Sequence, residues 1–199
     1  MSRAVGRAVG RAVGRAVGRA ALVFVFATLA GASLAAQKAA PREPAGYRLD
    51  NYGAPVPRAL KGAAALSTAG AFELWSKKAV IFVDVLPRPP KPAGLPKDSV
   101  WRDTPRQDIP GSIWLPDTGY GELAAPTLRY FESGLARATH DDKSKPLAFY
   151  CRKDCWMSWN AAKRALSIGY SNVSWYPDGA DGWAAAGKTL EPREPEPRE

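Results

Sequence analysis

Leu147-Ala148-Phe149-Tyr150-Cys151-Arg152-Lys153-Asp154-Cys155-Trp156 is the stretch that decides the fold. Its first four residues read as a buried strand, and the strand ends on Cys151. A helical pattern, Ser158-Trp159-Asn160-Ala161-Ala162-Lys163-Arg164-Ala165-Leu166, opens a few residues later. A cysteine at this junction sits at the N-terminal end of a helix, where unpaired N–H groups and the helix dipole favour thiolate over thiol. Cys155, the only other cysteine, lies in the same turn.

The same alternation continues on either side. Ser67 or Thr68 to Lys78 reads as a helix with Ala71, Leu74 and Trp75 on one face. Ala79-Val80-Ile81-Phe82-Val83-Asp84-Val85-Leu86 is a continuous apolar run, the pattern of a strand covered on both faces. A proline-rich insertion fills 87–110, a short strand is expected at Ser112–Leu115, and Pro126 opens a helix running to about Ala138. After the cysteine helix, Gly169 suits a C-cap, Asn172–Tyr176 reads as a strand, and Asp178–Trp183 as a glycine-marked turn. Alternating strands and helices predict an α/β domain with a mainly parallel central sheet flanked by helices, over 66–190. Residues 37–65 read as an exposed Pro/Ala/Gly-rich lead-in with little regular structure, pinned by Tyr47 and Tyr52. The charged, proline-rich tail 191–199 is expected to be disordered.

The N-terminus has the three parts of a secretory signal. Arg-Ala-Val-Gly repeats four times from Arg3 to Gly18, an apolar core follows from Ala20 to Ala30, and small residues run to Ala36. Cleavage after Ala35 or Ala36 is expected. The alternative is an uncleaved anchor, although the apolar run is short for a membrane span. The net charge of +9 includes five arginines of 1–36, which hold no acid; taking these away leaves +4. No basic run with interleaved aromatics remains, so nucleic-acid binding is not expected. An exported, periplasmic location permits disulfides.

For Cys151 the plain reading is a buried structural cysteine. For Cys155 it is a static disulfide to Cys151 that staples the loop, with a small entropic gain because the closed loop is short. A Cys-x-x-x-Cys pair also binds copper in exported assembly proteins. Those sites add a histidine, His140 is the only one here, and the ligand count speaks against a metal. Asp84 reads as a strand-end acid capping backbone N–H groups or bonding the cysteine loop. Arg102 and Arg106 read as lining an anion site or as solvated loop residues.

Four segments, in this order, resemble the rhodanese-like domain family: Val83-Asp84, Ile109-Pro110-Gly111-Ser112-Ile113-Trp114-Leu115-Pro116, Tyr150-Cys151-Arg152, and Asp178 to Trp183. The Cys-Arg-Lys-Asp-Cys-Trp loop is similar to that of the paired-cysteine (CXXCW motif) group associated with catabolism dependent on pyrroloquinoline quinone (PQQ). The resemblance implies Cys151 as a nucleophile that takes sulfane sulfur from a donor, becomes a persulfide and passes the sulfur on. It implies loop N–H groups from Arg152 to Met157 cradling the anion, with Arg152, Lys153, Asp154, Trp156 and Met157 around the substrate. Departures from the family pattern are informative. Asp154 opposes a low thiolate pKa, Trp156 and Met157 narrow access, and Cys155 has no counterpart in the ordinary loop. As a resolving thiol, Cys155 would attack a Cys151 persulfide or mixed disulfide.

The expected function is thus sulfur transfer or thiol chemistry on a Cys151/Cys155 pair. The alternatives are a thiol-disulfide oxidoreductase, or a non-catalytic module binding a PQQ-dependent dehydrogenase or cytochrome c partner. A sulfane-sulfur donor or a thiol is the expected substrate; no resident cofactor or metal is expected, nor a stable membrane span after signal cleavage.

Overall fold

The computed structural model describes residues 40–89, 92–96, 98–100 and 105–198. The expected export segment and Arg102 lie outside these. In chain order the elements are β1 (Ala64–Ala65), α1 (Thr68–Ser76), β2 (Ile81–Asp84), β3 (Arg106–Asp108), β4 (Ile113–Trp114), α2 (Ala125–Thr139), β5 (Leu147–Tyr150), α3 (Trp156–Ser167), β6 (Val173–Trp175), α4 (Gly179–Ala185) and β7 (Glu191–Arg193). Five strands form one sheet in the order β1-β6-β5-β2-β4, all paired in parallel. β3 and β7 form a separate antiparallel pair.

The period of two in β5 explains the layers. Leu147 and Phe149 point to one side and join Val83, Val173 and Trp175, under Phe131 and Leu135 of α2 and Trp159, Ala162 and Ala165 of α3. Ala148 and Tyr150 point to the other and join Phe82, Ala71 of α1, Tyr176 and Trp183 of α4. β5 is therefore apolar on both faces, as a central strand of a parallel sheet between two helical layers requires.

Local chemistry fixes the helix ends. Ser67 caps α1, its Oγ accepting from the Gly70 N–H at 3.1 Å. Pro126 sits in the first turn of α2. Gly169 follows α3 with φ 97°, a left-handed conformation that suits glycine at a helix end. No helix among the described residues is long and apolar enough to cross a membrane.

Three expectations are corrected. Asp178–Trp183, read as a turn, begins α4: Trp183 is fully buried and draws the segment onto the sheet, and the alanines that follow favour helix. Part of the tail read as disordered forms β7, with Gln107 opposite Pro192, and the chain continues across α2. There the Tyr130 hydroxyl donates to the Glu196 carbonyl at 2.8 Å, and the Arg198 guanidinium lies 4.6 Å from the Tyr130 ring centre. Composition argues for a chain unable to bury apolar surface, but the segment is held by backbone pairing: only its prolines lack a donor, and the Glu196 N–H donates to the Trp114 carbonyl at 2.9 Å. The lead-in, too, contains a strand, β1, along the edge of the sheet beside β6.

Candidate active site

Cys151 follows β5 directly, and Cys155 is the N-cap residue of α3. Between them Asp154 adopts a left-handed backbone (φ 53°), which Asp tolerates better than most side chains. The reversal brings the two cysteines together, with Cα atoms 6.4 Å apart and the sulfurs joined in a disulfide. That separation lies within the range a disulfide spans. Cys151 is fully buried and Cys155 is 3 % exposed, whereas Arg152 and Lys153 face solvent.

The Cys151 end is held by polar contacts from distant elements. Its carbonyl accepts the Ala180 N–H at 2.9 Å and Arg106 Nη2 at 3.4 Å. Gly179 makes the first contact feasible: it has φ 55°, and a Cβ there would collide with the Cys151 carbonyl oxygen. The next loop residue but one, Lys153, donates its N–H to Asp181 Oδ2 at 3.0 Å.

The Cys155 end is held by packing and by the lead-in. Trp156 is buried, meets Trp159 edge-to-face at 5.4 Å, and lies 5.3 Å from the Arg48 guanidinium. Its backbone N–H donates to the Tyr52 carbonyl at 2.9 Å and its indole Nε1 to the Pro55 carbonyl at 3.1 Å. Met157 packs against Gly119 so closely that a Cβ there would clash. One helical turn on, Asn160 exchanges hydrogen bonds with the backbone of Arg48, at 2.9 Å each way. Ser158 links the helix start to the sheet, donating to the Cys155 carbonyl at 2.9 Å and accepting from Trp175 Nε1 at 3.0 Å.

Beneath the Cys151 end lies a charged cluster that sequence reading separated into unrelated parts. Arg106, expected at an anion site or in solvent, instead binds Asp84 Oδ2 through Nε at 2.6 Å and lies 3.4 Å from Asp108 Oδ1. Both carboxyls are fully buried. Asp84 also caps the Leu86 N–H at 2.8 Å, as a strand-end acid should. Asp108 was not singled out by the sequence; a carboxylate beside an arginine in a proline-rich loop carries no signal of burial. Burial, and then the neighbouring Asp84, push its pKa up to about 9. Burial disfavours the Arg106 charge, but Asp84 and Asp108 outweigh it and raise its pKa. Burial and the same two acids raise the Tyr150 phenol well above its ordinary value. That phenol bonds the Ser112 hydroxyl at 2.8 Å and accepts the Ile109 N–H at 3.1 Å.

Two of the N–H groups expected to cradle an anion, those of Lys153 and Trp156, are thus engaged by Asp181 and Tyr52. No group of His, Cys, Asp or Glu able to hold a metal occurs among the described residues. His140 is the left-handed C-cap of α2 (φ 54°).

Residues 70–186 match the family model described as rhodanese-like domain. No curated protein matches the chain. Among solved structures it is similar to thiosulfate sulfurtransferase from Pseudomonas aeruginosa, at 18 % identity over 67 % of this chain and TM-score 0.46. The match spans only 21 % of the Pseudomonas chain. It is also similar to the polysulfide-sulfur transferase homodimer of Wolinella succinogenes, at 16 % identity over 67 % of this chain and 81 % of that one, TM-score 0.41. An uncharacterized protein from Saccharomyces cerevisiae gives 26 % identity over 63 % and 93 % of the two chains, TM-score 0.37.

Proposed function

Because the chain belongs to the rhodanese-like domain family, we propose that Cys151 takes up sulfane sulfur and that Cys155 resolves the persulfide. The observation that carries this reading is the placement of the second cysteine on the α3 N-cap, close enough to the first to bond with it.

The chemistry balances as follows. The Cys151 thiolate attacks the outer sulfur of thiosulfate, the sulfur–sulfur bond of the donor breaks, and sulfite leaves with the electron pair. Cys151 then carries a persulfide. The Cys155 thiolate attacks Cys151 Sγ, expels the terminal sulfur as hydrosulfide, and closes the Cys151–Cys155 disulfide. The sulfane sulfur is reduced by two electrons and the cysteine pair is oxidised by two. An external dithiol restores the pair, which completes the cycle. The start of α3 lends its dipole to the thiolates. The basic side chains of Arg152 and Lys153, exposed beside the pair, suit an anionic donor.

A second reading, thiol-disulfide exchange without sulfur uptake, is favoured by the engagement of the Lys153 and Trp156 N–H groups, which leaves less of the loop free to cradle an anion. We further propose that the chain is exported to the periplasm and serves a PQQ-dependent dehydrogenase or cytochrome c partner. The basic, apolar and small-residue segments of the N-terminus and the paired-cysteine-Trp loop support this.

Intact mass spectrometry of the dithiol-reduced Cys155→Ser protein, before and after thiosulfate, tests the reading. One added sulfur, removed by reductant and absent when Cys151 is also replaced, is the expected result. No added sulfur, with wild-type protein still exchanging electrons with a dithiol, would favour the oxidoreductase. No sulfur and no exchange would leave a binding module.

A further inference from the structure

We propose that Arg106, held between Asp84 and Asp108, is a positioning residue: it fixes the Cys151 peptide and neutralises the charge its sulfur feels. This rests on Cys151 being the reacting sulfur. Three observations converge on it. First, Arg106 reaches the Cys151 carbonyl with Nη2 while its Nε is committed to Asp84, so one planar guanidinium ties the end of β5 to the end of β2. Second, Asp84 is the register partner of Tyr150, the residue before Cys151, so the cluster sits against the end of the strand that carries Cys151. Third, one cation faces two buried carboxyls, and β3 carries both the cation and the second acid.

Around Cys151 the loop contributes Arg152, Lys153 and Asp154, and α4 contributes Asp181, which accepts the Lys153 N–H; these charges stay constant while the buried cluster is varied. β2 contributes Asp84, β3 contributes Arg106 and Asp108, and β5 contributes the neutral Tyr150 phenol, bonded to Ser112. Across the β3–β7 ladder, Arg193 stands opposite Arg106 but is paired with Glu191. With Asp108 protonated, the unit Asp84–Arg106–Asp108 is neutral. Removal of the guanidinium would expose Cys151 to an uncompensated carboxylate, which disfavours a thiolate. Removal of both acids would leave a bare cation, which favours one. A residue needed only for folding has no reason to act in both directions.

The test measures the pH profile of Cys151 alkylation by iodoacetamide in the full chain, with Cys155→Ala as the common background so that one thiol reports. Arg106→Gln is expected to slow alkylation near neutral pH at least tenfold by moving the profile to higher pH. Arg106→Lys should return most of the rate. Asp84→Asn with Asp108→Asn should move the profile the opposite way. Unchanged profiles, or shifts of the same sign in the glutamine and double-asparagine variants, would overturn the positioning role while leaving Cys151 reactive. A Cys151 that alkylates in no variant, the common background included, would overturn the role together with the reading it rests on.

Discussion

The two halves of the Cys151–Cys155 loop are held by different physics. The Cys151 half is gripped by charge and backbone geometry: Arg106 from β3, Ala180 from the start of α4, and Gly179, where a side chain would strike the Cys151 carbonyl. The Cys155 half is gripped by bulk, with Trp156 buried beneath the lead-in and beside Trp159. If the proposed chemistry holds, reactivity at one sulfur would answer to electrostatics, and presentation of the other to packing. The difference teaches that the two ends of one short turn can be altered separately, the Cys151 end through charge and the Cys155 end through packing.

Trp156→Ala should break the packed half most severely. It removes a buried indole whose Nε1–H donates to the Pro55 carbonyl, and a loss of about 3–5 kcal/mol is expected in chemical denaturation. Arg152→Ala, exposed in the same loop, should change stability by no more than about 0.5 kcal/mol, so equal losses would refute the contrast. On the other half, Gly179→Ala should cost about 1–3 kcal/mol, because it combines a positive φ with a backbone collision. Thermal melts of both variants, with the cysteines reduced and oxidised, would show whether each half fails independently.

Cys155→Ser should cost about 2 kcal/mol relative to the oxidised protein, since the disulfide closes a loop of few residues. A much larger loss would mean that the pair is chiefly a structural staple. A smaller effect than the loss of the disulfide concerns Asp108. Its folded pKa of about 9 lies above its ordinary value of 3.8, so the folded state holds a proton that the unfolded state releases. Stability from this group is fully present below about pH 4 and declines as pH rises toward 9. Asp108→Asn should flatten that decline and add about 1 kcal/mol near pH 8, read as a higher melting temperature.

Much of this arrangement was legible in the sequence, for identifiable reasons. β2 and β5 are legible because both faces are covered and the runs are apolar apart from Asp84 at the end of β2. Cys151 and Cys155 stood out because thiols are rare in the chain and both fall at one strand-to-helix junction. β1 and β3 carry no sequence signal: one is two alanines and the other Arg-Gln-Asp, neither with β-forming side chains. β7 was hidden by a composition that argues for solvent, and α4 by glycines that serve a close approach rather than a turn. Asp154 was read by its charge, whereas the structure gives it a backbone role, the left-handed reversal between the cysteines. The Asp84–Arg106–Asp108 cluster was beyond reach because its members come from segments that only the tertiary fold brings together.

The stoichiometry of a single turnover decides whether Cys155 resolves a Cys151 persulfide. Fully reduced protein, freed of reductant and mixed with excess thiosulfate, should release one sulfide for each Cys151–Cys155 disulfide formed. Cys155→Ser should release none and retain the sulfur on Cys151. Sulfide release unchanged in Cys155→Ser, or disulfide formation without sulfide, would contradict the account.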